Sequence, residues 1–169
     1  VDSMEPSAHK LELLRRIAEL EKKELWHLDV EDDPETYPLM PDQVDYLNQK
    51  LSSKIKNKIA NYAGTRFFDK MIANRQLIIK EVRGIENFTA VAGGRFVTCN
   101  HFNAFDSFAM QMAYESAGHK KRKLYRVIRE GNYTSFPGFY GYLMKNYNTL
   151  PLASKPAAMK EFVRATDTL

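Results

Sequence analysis

Apolar residues in 9–29, "HKLELLRRIAELEKKELWHLD", fall at Leu11, Leu14, Ile17, Leu20 and Leu25 among charged positions. That spacing is one face of an amphipathic helix. The following "DVEDDPETYPLMPDQ" is acidic and holds three prolines, which predicts a loop. Pro41-Asp42 then opens a second helical stretch, rich in Lys, Asn and Ala, that runs to about Asn74 without a further proline. The pattern changes at Gln76. "LIIKEVRG", Leu77 to Gly84, reads as a strand ending at a glycine turn, and "RFVTCN", Arg95 to Asn100, as a short buried strand after the Gly93-Gly94 turn. A helix is expected from about Ala104, with Gly118 as its C-terminal stop. "LYRVIR" reads as another strand, "EGNYTSFPGFYGYLMKNYN" as a loop leading into a short helix, "TLPL" as one more strand and "KPAAMKEFVRATDTL" as a closing helix. Strands alternating with helices predict an α/β fold. The expected organisation is an N-terminal helical region over 1–75 and a partial α/β domain over 76–169.

Composition narrows the class. A chain of 169 residues, 44% hydrophobic, can bury one core and is not a disordered polymer. Its net charge of +4 fits an anionic partner without choosing among phosphate groups, nucleic acid and a membrane surface. The lone cysteine, Cys99, excludes an internal disulfide and a thiolate-rich metal site, and predicts a reducing, cytoplasmic setting. No run approaches the about 18 apolar residues of a membrane span, and the start lacks the basic-then-apolar pattern of a signal peptide. The opening "VDSM" reads as an expression scar before a natural start at Met4.

"VTCNHFNAFDSF", Val97 to Phe108, is the segment with candidate chemistry. If a strand ends near Cys99 and a helix starts near Ala104, His101 lies in the turn at the strand's carboxyl end, where ligands of open α/β sheets gather. Asn103 stands at the N-cap position and Asp106 in the first turn, beside His101 in space. A carboxylate accepting from one imidazole N–H fixes the tautomer and frees the other nitrogen as a base. The same residues also serve as a plain helix start: Asn103 and Asp106 resemble a capping box, and an acid there suits the helix dipole. Spacing alone leaves both readings open.

"CNHFNAFD" resembles the first signature of the glycerophospholipid acyltransferases, the family of the lysophosphatidic acid acyltransferases, written Asn-His-x-x-x-x-Asp. "KEVRGIENF", residues 80–88, is similar to the strand and turn that precede this signature, and "SFPGFYGYLMKN", residues 135–146, to the Pro-and-Gly-rich stretch that follows it. The resemblance covers about Leu77 to Leu152. It implies a mixed sheet flanked by helices, with His101 as general base, Asp106 orienting it, and transfer of a fatty acyl group from acyl-CoA or acyl carrier protein to a lysophospholipid such as 1-acyl-sn-glycerol-3-phosphate. No metal, further cofactor or covalent enzyme intermediate is implied. Arg129 matches the Lys or Arg that faces substrate phosphate in the family, and Pro137, Gly138, Phe139 and Gly141 match the loop bordering the glycerol-phosphate site. Two departures stand out: Ser154, next to Lys155, occupies the place of a further family Arg, and Pro151 interrupts the strand before it. A third signature, Glu-Gly-Thr-Arg-like, is expected after a further strand, and the chain ends at Leu169 before it, so the domain is expected to be C-terminally truncated.

Enzymes of this kind meet substrate at a bilayer, so peripheral contact with an anionic membrane is expected. The candidate is the second helical stretch, where Ile55, Ile59, Tyr62 and Phe67-Phe68 sit among Lys54, Lys56, Lys58, Arg66 and Lys70. The alternative is that this face packs on the α/β body. Met110, Met112, Phe105 and Phe108 read as core first, with the alternative that such adaptable side chains line an acyl groove. The basic run "HKKRKLYRVIREGN" over 119–132 reads mostly as a solvated rim, and nothing in it matches a nucleic-acid motif. Two rival functions use the same features: a His-Asp thioesterase or hydrolase acting on water, and a non-enzymatic anionic-lipid-binding module.

Overall fold

The structure, a computed structural model, describes residues 8–31, 36–90, 93–101, 105–118 and 123–169. The expectations placed on Met4, on Asn103 and on most of "HKKRK" lie outside these residues. By its contacts the chain divides into two units, Val1–Glu35 and Thr36–Leu169.

In the first unit, α1 spans Ala8–Lys22 and buries none of its residues. Its amphipathic spacing forms helix through Lys22, while 23–29, expected to continue it with Leu25 on the apolar face, is turn and bend. Arg15 supports the charged side, its guanidinium meeting Glu12 at 2.8 Å and Glu19 at 3.8 Å.

The second unit opens with a 3-10 turn at Pro41–Gln43, where a longer helix was expected to start. The helix itself, α2, begins only at Leu51 and runs to Ala73. Asp45 explains the delay. Its carboxylate accepts the backbone N–H of Gln49 at 2.9 Å and of Lys50 at 2.8 Å, and Asn48 turns the chain with φ of +51°. The contact division at 35/36 differs from the expected boundary at 75/76, because α2 packs on later elements of the same unit.

After α2 come α3 (Glu86–Ala90), α4 (Asp106–Ser116), β1 (Arg126–Arg129), α5 (Glu130–Thr134), α6 (Gly138–Asn146), β2 (Thr149–Leu152) and α7 (Pro156–Thr168). Strands β1 and β2 pair in parallel, Arg126 opposite Thr149 and Arg129 opposite Leu152, with α5 and α6 as the crossover that a parallel pair requires. Pro151 is fully buried within β2 and lacks a donor; it is tolerated because β2 pairs with β1 alone among the described residues. The α/β expectation therefore holds at the coarse level of helices around a parallel pair.

Two expected strands are corrected. Leu77–Gly84 and Arg95–Asn100 follow extended or irregular paths and join no ladder among the described residues. Phe96, expected in a buried strand, is 90% exposed. A strand is defined by a neighbour, and these segments find none among the described residues.

The core joins α2, α4 and α6 through Ala60, Phe68, Phe108, Leu143 and Tyr147. Gly64 lies mid-helix because a Cβ there would stand 2.7 Å from the Tyr147 ring, so the glycine lets this ring seat against α2. Three asparagine side chains fasten the same junction. Asn57 Nδ2 donates to the Asn146 carbonyl at 2.7 Å and to Asn148 Oδ1 at 2.9 Å, and Asn148 Nδ2 donates to Asn61 Oδ1 at 2.9 Å. A second cluster, Tyr46, Leu150 and Ala165, seats α7 on β2, with Phe162 edge-on to Tyr46 at 6.0 Å.

Candidate functional site

Helix α4 starts at Asp106, two residues later than the expected Ala104, and Phe105 occupies its N-cap with no side-chain cap bond. The acid in the first turn is favoured there by the helix dipole and remains partly accessible, its side chain 27% exposed. Its Oδ2 lies 3.3 Å from Nδ1 of His101, at the long end of hydrogen-bonding range. With Asp106 accepting from Nδ1–H, the Nε2 lone pair of His101 is left for an incoming proton. The imidazole is 74% exposed, so that nitrogen has access to a ligand or to water.

What steadies Asp106 lies beneath α4. Phe108 stacks on Phe68 of α2 with ring centroids 3.4 Å apart, and Phe105 meets Phe68 at 5.9 Å. The same face of α4 is also held by Arg126, a buried cation at the start of β1. Its Nη2 donates to Gln111 Oε1 and its Nη1 to the Tyr147 carbonyl, both at 3.0 Å. Its guanidinium lies 5.0 Å from the Phe108 ring centre and 4.4 Å from that of Tyr147. Burial pushes Arg126 below its ordinary pKa, partly offset by Tyr147 and by the negative charge of Glu115. In the sequence Arg126 looks like one more charge of a basic rim. The apolar neighbours Tyr125, Val127 and Ile128 are the one signal that the strand is half-buried.

The other expected site residues are placed as follows. Arg129 ends β1, exposed, and caps α5 with extended backbone. Pro137 is the N-cap of α6, and Gly138 takes a left-handed φ of +60° that favours glycine. Gly141 is buried in α6, where a Cβ would run into the Phe136 carbonyl oxygen, so the protein itself fills that space. Phe139 is 42% exposed and meets Phe67 at 5.5 Å. Phe67 touches Phe68 at 5.1 Å, and Phe68 touches Phe105. The start of α6 and the His101–Asp106 pair thus sit at two ends of one aromatic row across α2. Arg129 stands outside that row, where β1 gives way to α5.

Among the described residues no three His, Cys, Asp or Glu side chains converge as a metal site, and no helix is long and apolar enough to cross a membrane. Comparison of the chain with family models, with curated proteins and with solved structures finds no match to any of them.

Proposed function

We propose that the protein is an acyltransferase of the lysophosphatidic acid acyltransferase type, moving a fatty acyl group from acyl-CoA or acyl carrier protein to a lysophospholipid hydroxyl in phospholipid biosynthesis. The observation that carries this reading is the His101 Nδ1 to Asp106 Oδ2 approach of 3.3 Å, with the imidazole otherwise open. In the proposed reaction Nε2 of His101 takes the acceptor's hydroxyl proton as its oxygen attacks the thioester carbonyl. The carbon–sulfur bond breaks, an ester forms, and the departing thiolate takes the proton from the imidazolium. Asp106 stabilises the imidazolium while it lasts. Arg129 would meet the acceptor's phosphate, a task for which a guanidinium fork is suited. Pro137, Gly138 and Phe139 would border the acceptor, with Gly141, buried in α6, letting the Phe136 carbonyl pack close beneath them. The work would take place on the cytoplasmic side of an anionic membrane, which the protein meets peripherally.

The openness of the imidazole also suits a thioesterase, with water as acceptor. Free-thiol release from acyl-CoA, followed with and without lysophosphatidic acid, separates the two. The expected result is release that requires the acceptor and falls by about a hundredfold or more in His101→Ala. Release that ignores the acceptor yet needs His101 would establish the hydrolase instead. Release unchanged by His101→Ala would remove both.

A further inference from the structure

Helix α2 carries a buried line and an exposed apolar line. Asn57, Ala60, Gly64 and Phe68 face the core and are buried. Leu51, Ile55, Ile59 and Tyr62 are 73, 52, 52 and 69% exposed. At about 100° per residue these two lines fall on opposite sides of the helix. A helix resting on its own domain needs one apolar face, so the fold accounts for the first line and not for the second. The two candidate meanings of this helix, core packing and membrane contact, are thereby divided between its sides: Phe68 serves the first, and Ile55, Ile59 and Tyr62 are left over.

The charges around the outer line say what could cover it. Lys54 and Lys58 border it on one side, Arg66 and Lys70 on the other, and Asp69 is the one acid in the helix sequence. Beside the first turn, Lys50, Lys56 and Lys145 outnumber Asp42 and Asp45 in a polar cleft of about 280 Å³. Asp45 is already committed to the backbone N–H groups of Gln49 and Lys50. A second copy seated on this face would set one collar of cations against another, which Coulomb repulsion opposes. A plane that is hydrocarbon below and negatively charged at its surface satisfies both the apolar line and its collar.

We propose that the outer face of α2 is the surface by which the protein lies on an anionic lipid bilayer. Leu51, Ile55, Ile59 and Tyr62 enter the acyl boundary, and Lys54, Lys58, Arg66 and Lys70 meet the headgroup phosphates. The site of contact stands on this geometry; only its purpose, delivery of the enzyme to lipid substrate, rests on the proposed reaction.

The test is flotation of the full chain with phosphatidylcholine vesicles, with and without phosphatidylglycerol, at low and high salt, with no acyl donor present. Binding is expected to require phosphatidylglycerol and to weaken with salt. Lys54→Glu/Lys58→Glu should lose about fivefold or more per position, and Ile55→Ser/Ile59→Ser about tenfold or more. Both pairs are exposed, and matching circular dichroism would show that the fold is kept. Tyr62→Trp in a Trp26→Phe background should shift its emission to the blue with anionic vesicles. Equal binding to phosphatidylcholine alone, or charge-dependent binding indifferent to the isoleucine pair, would overturn the proposal. So would an isoleucine pair that turns a dimer into a monomer and leaves flotation unchanged. Because no turnover is read, a chain that floats through this stripe but releases no thiol would keep the surface and lose the reaction.

Discussion

Tyr46 donates its hydroxyl hydrogen to the carbonyl of Pro151 at 2.9 Å, joining the loop before α2 to the middle of β2. Burial holds the phenol protonated up to about 12, reinforced by Tyr133 and by the charges of Glu130 and Glu161. A group whose pKa is raised on folding stabilises the protein fully below its unfolded value, ordinarily 10.0, and loses that contribution as pH climbs to about 12. Tyr46→Phe should therefore cost about 1 kcal/mol at neutral pH by leaving the Pro151 carbonyl unmet. It should also flatten part of the loss of stability above pH 10, which urea unfolding at two alkaline pH values would show. A variant as alkali-sensitive as the parent would point to another tyrosine, Tyr125 or Tyr133, whose phenols burial also raises. The candidate pair is a residue-scale feature that was legible in advance. The interval from His101 to Asp106 marks the pair, and a first-turn acid near a preceding turn is local geometry that a sequence can carry. Arg126 was not legible, because its role depends on Phe108, Gln111 and Tyr147, which arrive from elsewhere in the chain.

At the scale of elements, Arg126 is the bolt between β1, α4 and the end of α6. Its backbone N–H also reaches the Asn148 carbonyl at 2.8 Å. Arg126→Met keeps much of the volume, removes a costly buried charge and strands two acceptors, Gln111 Oε1 and the Tyr147 carbonyl. The stranded acceptors should win, with a loss of about 1–3 kcal/mol in urea unfolding. A neutral or stabilising result would mean that desolvation of the guanidinium outweighs its bonds. Local pattern finds β1, β2, α6 and α7, which follow one another closely in the chain. It also marks Leu77–Gly84 and Arg95–Asn100 as strands, from apolar runs bounded by glycine turns, and there it misleads. An apolar run states that a segment could be buried, whereas a ladder needs a second strand at the right height. The late start of α2 was hidden for a different reason: Asp45 and Asn48 build a turn whose bonds run between side chain and backbone, which hydrophobic spacing does not register.

For the whole molecule, the parallel pair has a consequence for the order in which the chain assembles. Arg126 and Thr149, partners in the ladder, are close in sequence, and α7 follows directly to seat Ala165 against Leu150. Bonds between α2 and the end of α6, such as Asn57 to Asn146, close a separation of 89 residues. Shorter closures cost less chain entropy and are reached sooner. The segment from β1 to α7 is therefore expected to form the folding nucleus, with α2 arriving after the barrier. Leu150→Ala should slow refolding, and Phe68→Leu should chiefly speed unfolding, in stopped-flow measurements on the two variants. The reverse pattern would make α2 the early partner. If β1 to α7 does lead, the helix on which the aromatic row depends is the last to dock and the first to leave, so Asp106 is left held through Arg126 alone well before the protein as a whole comes apart.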